Sequence, residues 1–215
     1  MTHLVVTGGN RGLGRALVEG ALARGWAVTA TSRGDPVPAG ARARMLDVTD
    51  LSAVARLAEG LAPVDILINN AGIIGPARQS TLDTDFDGFA RTLAVNTLAP
   101  LAVAQAVLPA MGPGGRILSI SSQMAWMGYA KSDRIAYRAS KAALNKVMQG
   151  LATDLAPRGI AVALVDPGWL RTDMGGPEAD LDPVTVAVGI LTLAEGLTMA
   201  RSGRFLRHDG SERPF

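Results

Sequence analysis

The chain has no cysteine among its 215 residues, which excludes disulfides, thiolate catalysis and Cys-ligated zinc or iron–sulfur centres. Histidine is nearly as scarce. His3 and His208 stand at opposite ends and no His/carboxylate spacing suits a metal, so none is expected. Charge is sparse at 19%, and the formal net charge is only +2. The cations are 18 Arg against 3 Lys, scattered from Arg11 to Arg213 and nowhere interleaved with aromatics as a nucleic-acid groove requires. Nucleic acid is therefore not an expected partner. No apolar run reaches membrane-spanning length, because Asn96 and Pro100 interrupt the best one. The N-terminus enters an apolar strand directly, without the basic region and long apolar run of a signal peptide. A soluble cytoplasmic protein with no membrane partner is the expectation. Nor does any Pro/Ser-rich linker, charge block or repeat divide the chain, and 48% hydrophobic residues suffice for a packed interior. Residues 1–215 are expected to form one α/β domain.

What is present first is a strand, a glycine turn and a helix in that order. Leu4-Val5-Val6 leads into Thr7-Gly8-Gly9-Asn10-Arg11-Gly12-Leu13-Gly14, followed by a helical pattern from Arg15 to about Arg24 with Leu13, Leu17 and Ala21 on one face. Backbone N–H groups at such a helix start point outward, and glycine lets a pyrophosphate approach them. Gly25 closes the helix, and a second strand, Ala27 to Ser32, ends in Arg33. A carboxylate near this position accepts from the ribose hydroxyls of NAD, whereas an Arg accommodates the extra phosphate of NADP. Arg33 favours NADP(H), with Arg11 as a second cation; Asp35 keeps NAD(H) as the alternative.

Arg44 to Leu46 reads as a third strand, running into Asp47-Val48, where Asp47 suits an adenine contact. Thr49 or Asp50 caps a helix with apolar positions Leu51, Val54, Leu57 and Leu61. Val64 to Ile68 is a fourth strand, and Asn69-Asn70-Ala71-Gly72 follows it where a cofactor lies in open α/β sheets. A long helical region from about Asp85 to Met111 is apolar on almost every side, with Asn96 in its middle needing a partner. Arg116 to Ile120 is a fifth strand ending at Ser121-Ser122. The loop from Gln123 to Asp133 concentrates Met124, Trp126, Met127 and Tyr129, as ligand- or subunit-contacting surfaces do. Next comes a helix to about Ala156 carrying Tyr137 and Lys141, four residues apart and so on one face. A phenol has a pKa of about 10, and a neighbouring cation lowers it, so this pair can move protons. A sixth strand, Ala161 to Val165, precedes Asp166-Pro167-Gly168-Trp169 and a loop through Thr172, Asp173, Gly175 and Gly176; a helix near Val184 to Met199 and a short strand at Phe205-Leu206 complete the order.

Thr7 to Gly14, Asp47, Asn69 to Gly72, Asn96, Ser122, Tyr137 with Lys141, and Pro167-Gly168 together resemble the short-chain dehydrogenase/reductase family over nearly the whole chain. Arg138 to Asn145, Trp169 to Gly176 and Phe205 to Phe215 are similar to its shorter sniffer-like and C-factor-like carbonyl reductases. The resemblance implies a doubly wound seven-stranded Rossmann sheet of order 3-2-1-4-5-6-7 with helices on both faces. It implies that Tyr137 is the acid/base, that Lys141 holds the nicotinamide ribose and lowers the Tyr pKa, that Ser122 holds the substrate oxygen, and that Asn96 anchors a water relay. The same resemblance places the cofactor against Gly8, Asn10, Arg11, Gly12, Leu13 and Gly14. Arg33, Asp47, Val48, Asn70, Ala71 and Gly72 continue that site, which Tyr137, Lys141, Pro167, Gly168, Trp169 and Thr172 complete. Ser122 lies 15 residues before Tyr137, a wider interval than is usual in the family, so Ser121 stands as the alternative hydroxyl. The segment after Pro167 is short, with little of a helical lid, so an open substrate site is expected. Its walls, Gln123, Met124, Trp126, Trp169 and Met174 beside Ser122, are mostly apolar. The resulting expectation is an NADPH-dependent reductase of a small carbonyl compound, paired into a homodimer or larger assembly through its two apolar helices. An NAD(P)-linked alcohol dehydrogenase and a nucleotide-sensing signalling protein are the alternatives.

Overall fold

Short apolar strands alternating with helices have one economical solution, a parallel sheet whose crossover helices cover both faces. The computed structural model describes residues 1–128 and 130–215; Tyr129, one of the large side chains noted in the 123–133 loop, lies outside the described residues. The strands are β1 (His3–Val6), β2 (Ala27–Ser32), β3 (Arg42–Met45), β4 (Ile66–Asn69), β5 (Arg116–Ile120), β6 (Ala161–Asp166) and β7 (Phe205–Arg207). They form a seven-stranded sheet of order β3-β2-β1-β4-β5-β6-β7, every neighbouring pair parallel. β1, β4 and β6 are buried throughout, whereas the edge strand β3 exposes Arg42, Ala43 and Met45. Its arginines discourage further strand addition.

The period of two along each strand divides the interior into two cores. Leu4 and Val6 of β1 pack under α1 (Gly12–Ala23) and α6 (Pro183–Gly196) with Leu17, Ile190 and Leu191. Val5 points the other way, toward α4 (Ala99–Val107) and α5 (Ile135–Leu155), where Val103, Val107, Leu144 and Met148 meet Leu67 and Val162. α1 ends where Gly25 takes φ +74°, as the left-handed position after a helix favours.

Two expected helices differ from the sequence reading. The helix capped by Asp50, whose carboxylate accepts from the N–H groups of Ser52 and Ala53, is only α2 (Leu51–Ala55) rather than continuing to Leu61. Arg42 and Arg44 of β3 donate to the carbonyls of Gly60 and Glu59, and these bonds hold 56–60 as turns. The apolar region from Asp85 is a succession: α3 (Phe86–Leu93), a π-turn at Ala94–Leu98, α4, then a 3-10 turn at Leu108–Ala110. The wider π-turn precedes Pro100, which has no N–H to give, and turns Asn96 inward. By length and composition Phe86–Ala110 matches a membrane span, yet here it lies along the sheet with Thr92, Asn96 and Thr97 buried.

Candidate active site

The carboxyl ends of β1, β2, β4, β5 and β6 open into one cleft of about 680 Å³. Its floor is the glycine turn. A Cβ on Gly14 would stand 2.0 Å from the Gly8 carbonyl oxygen and 2.5 Å from Nδ2 of Asn70, so no other residue fits there. Asn70 locks the turn to β4: Nδ2 donates to the carbonyls of Thr7 and Gly8 at 2.9 and 3.1 Å, and the Thr7 hydroxyl accepts from the N–H groups of Asn70 and Ala71. The result is a preformed concavity in front of the α1 N-terminus, the shape a pyrophosphate needs.

Gly8, Asn10, Arg11, Gly12, Leu13, Gly14, Arg33, Asp47, Val48, Asn70, Ala71 and Gly72 all line the cleft, as the sequence led one to expect. So do Pro167, Gly168, Trp169 and Thr172 on its far wall. Two members differ from the expectation. Arg11 reaches across the mouth to Asp173 at 2.8 Å, both side chains well exposed, whereas Arg33, Arg91 and Arg134 line the cleft without an ion-pair partner among the described residues. One Asp47 oxygen accepts from both the N–H and the hydroxyl of Thr49, which with Arg33 and Arg91 nearby holds the carboxyl below the usual range. Asp35 is not aimed at a ribose; it accepts from Asn10 Nδ2 at 3.1 Å. The cradle, the guanidinium of Arg33 at the end of β2 and the length of the cleft fit a dinucleotide carrying an additional phosphate.

At the other end stand Ser122, Tyr137 and Lys141. The Ser122 hydroxyl lies close enough to the Tyr137 phenol to favour its ionised form, and it accepts from the Met124 N–H at 3.1 Å. Ser121 instead donates to Asn145 Oδ1 at 2.6 Å and is 1% exposed, so the alternative hydroxyl is engaged with α5. Lys141 lies 5.7 Å above the Tyr137 ring centroid and donates to the Ile120 carbonyl at 2.7 Å. Burial pushes the lysine down from 10.5 to about 8. It pushes Tyr137 up from 10.0 to about 12, with the Asp166 charge adding to that and the Ser122 hydroxyl and Arg134 opposing it. Burial thus sets the direction of both shifts, and Lys141 does not figure among the causes acting on the phenol.

Asn96 does not line the cleft. It is fully buried behind it, accepting from the Ile73 N–H at 2.9 Å and donating to the Ile73 carbonyl and to Ser140 Oγ, whose hydroxyl donates to the Tyr137 carbonyl. Its amide braces the cleft wall against α5. Gln123, Met124, Trp169 and Met174, expected as substrate walls, line the cleft, but Trp126 does not: its ring packs over Gly128, where a Cβ would approach to 2.4 Å. Ile73 and Ile74 contribute apolar wall that the sequence reading did not single out. The 167–182 segment forms no helix and is braced by Leu170–Leu181 pairing, so the cleft has no helical lid.

Two positions were given no role in the sequence reading. Gln79, in the loop before α3, accepts from the Tyr137 N–H at 3.2 Å while its carbonyl accepts from Ile135, tethering the start of α5. Asp166, the last residue of β6, is buried and ion-paired to Arg213. No local pattern marks partners 58 or 47 residues apart.

The short chain dehydrogenase family model matches residues 2–181. The chain is 42% identical over 157 residues to C-signal of Myxococcus xanthus, covering 71% of this chain and 93% of that one. The carbonyl reductase Sniffer of D. melanogaster superposes with a TM-score of 0.92 at 29% identity, covering 100% of both chains. A carbonyl reductase from Pseudomonas aeruginosa PAO1 in complex with NADP gives 0.88 at 30%, again covering 100% of both. The chain belongs to the short chain dehydrogenase family.

Proposed function

We propose that the protein is an NADPH-dependent reductase of ketones or aldehydes, with Tyr137 as proton donor. The observation that carries the reading is that Ser122, Tyr137 and Lys141 open into the same cleft as the glycine cradle and Arg33. The cofactor is NADP(H); the 8–14 turn would hold its pyrophosphate and Arg33 its additional phosphate, and when bound it would supply the hydride. The chain's own residues handle the oxygen. The Ser122 and Tyr137 hydroxyls donate to the carbonyl oxygen, where negative charge develops, and Tyr137 gives up its proton. Its pKa near 12 keeps it protonated, ready to donate, at neutral pH. Lys141, fixed by the Ile120 carbonyl, would have its remaining N–H groups available to the ribose of a bound nicotinamide cofactor. Met124, Trp169, Met174, Ile73 and Ile74 favour a carbonyl compound with apolar character.

Similarity to C-signal supports a second reading, in which nucleotide binding with little turnover serves signalling. A panel of aldehydes, ketones and quinones assayed by NADPH consumption separates the two. Turnover of any class well above the no-substrate rate is expected; NADPH binding without turnover across the panel contradicts the reductase reading.

A further inference from the structure

The buried ion pair behind the active site has no part in the reading above. Asp166 is 2% exposed, and Oδ1 accepts from the backbone N–H groups of Gln123 and Gly168, both at 3.0 Å. The other oxygen accepts from Nε of Arg213, whose side chain also donates to Gln123 Oε1 at 3.3 Å. One carboxylate therefore holds both loops that flank the reacting groups, the turn after Ser122 and the Pro167–Trp169 segment. A charge so placed needs its counter-ion. Arg213 arrives because the segment after β7 folds back. Leu206 bridges Glu212, the Arg213 N–H donates to the Phe205 carbonyl at 2.8 Å, and the Phe215 ring rests 5.9 Å from that of Phe205.

The pair also bears on Tyr137. The groups facing that phenol are the Ser122 hydroxyl after β5, Arg134 just before α5, Lys141 from α5, and Asp166 from the end of β6. Arg134 favours the phenolate and Asp166 opposes it. Among the described residues Arg213 is the cation bonded to Asp166; Arg207, which pairs with it in register across β7, is exposed.

We propose that Arg213 is a positioning residue for the reaction: paired with Asp166, it fixes the Ser122–Gln123 turn and screens Tyr137 from the carboxylate. The kinetic part rests on the reductase reading; the screening part does not. Without the guanidinium the Asp166 carboxylate acts on the phenol unscreened, making Tyr137 a weaker acid and a slower donor.

The chain has two tyrosines, so Tyr129→Phe leaves Tyr137 as its only phenol. Phenolate absorbance of that reference protein, titrated with NADP+ bound, should move to higher pH by about one unit in Arg213→Gln, a roughly tenfold change in the ionisation constant. Arg213→Lys, which keeps the charge, should return most of the shift. In carbonyl reduction Arg213→Gln should lower kcat by about tenfold and leave KM for NADPH within about twofold. An unmoved midpoint in Arg213→Gln, or an equal shift in Arg213→Lys, overturns the proposal. A wild-type protein that binds NADPH but reduces nothing overturns the reductase reading instead, and the titration still decides the role of Arg213.

Discussion

Lys141 shows at the scale of one residue how the site opposes the fold. Its ammonium is 4% exposed with one carbonyl partner, and its pKa falls from 10.5 to about 8. At neutral pH the unfolded chain holds that proton more firmly than the folded one, so the charged lysine destabilises the fold. Because the folded pKa is the lower of the two, stability rises with pH between about 8 and 10.5. Lys141→Met should therefore raise stability at pH 7 by up to ~3 kcal/mol, seen as a higher urea midpoint, with the gain shrinking as pH rises to 10. A Met variant less stable than wild type at pH 7 contradicts this, whatever happens to turnover. Arg33 carries the second prediction. With Arg11 committed to Asp173, one charged hydrogen bond to the additional phosphate remains, a preference for NADPH over NADH of about 10- to 100-fold. Arg33→Asp should erase that ratio of kcat/KM; an unchanged ratio places the determinant elsewhere.

The elements show which part of this was legible beforehand. The strand–turn–helix order and the glycine turn followed from apolar period and glycine spacing, because those signals are local; the sheet order and most of the residues expected at the cleft came from the family resemblance. The π-turn at Asn96 was not legible: the same apolar residues suit either helix type, and only the tertiary demand of Ile73 and Ser140 turns the amide inward. The early end of α2 was missed because the arginines that hold the following turns belong to β3. Arg213 was read only as the last of the scattered arginines, since its partner lies at the far end of β6. Where the local signal was strong it is also demanding. Gly14→Ala should push a methyl into the Gly8 carbonyl, cost on the order of 3 kcal/mol and weaken NADPH binding at least tenfold by calorimetry. Unchanged binding would show that the turn relaxes freely.

At the scale of the whole molecule, apolar surface remains uncovered. Leu98 is 58% exposed, Leu101 and Leu108 are half-buried on the same helical run, and Val147 lies similarly on α5. Burying such surface contributes about 25 cal/mol per Å², and a second copy of this chain is the proposed cover. Light scattering at micromolar concentration should give at least twice the 22.2 kDa chain mass; 22.2 kDa itself counts against it. The sheet, the cleft and both helical layers otherwise serve one arrangement, in which a phenol is held protonated beside a hydroxyl and an ammonium. Tyr137→Phe keeps the ring and removes only the proton. Its kcat for carbonyl reduction should fall on the order of 10² to 10⁴ while the Kd for NADPH stays within about twofold; full activity in that variant would contradict the account.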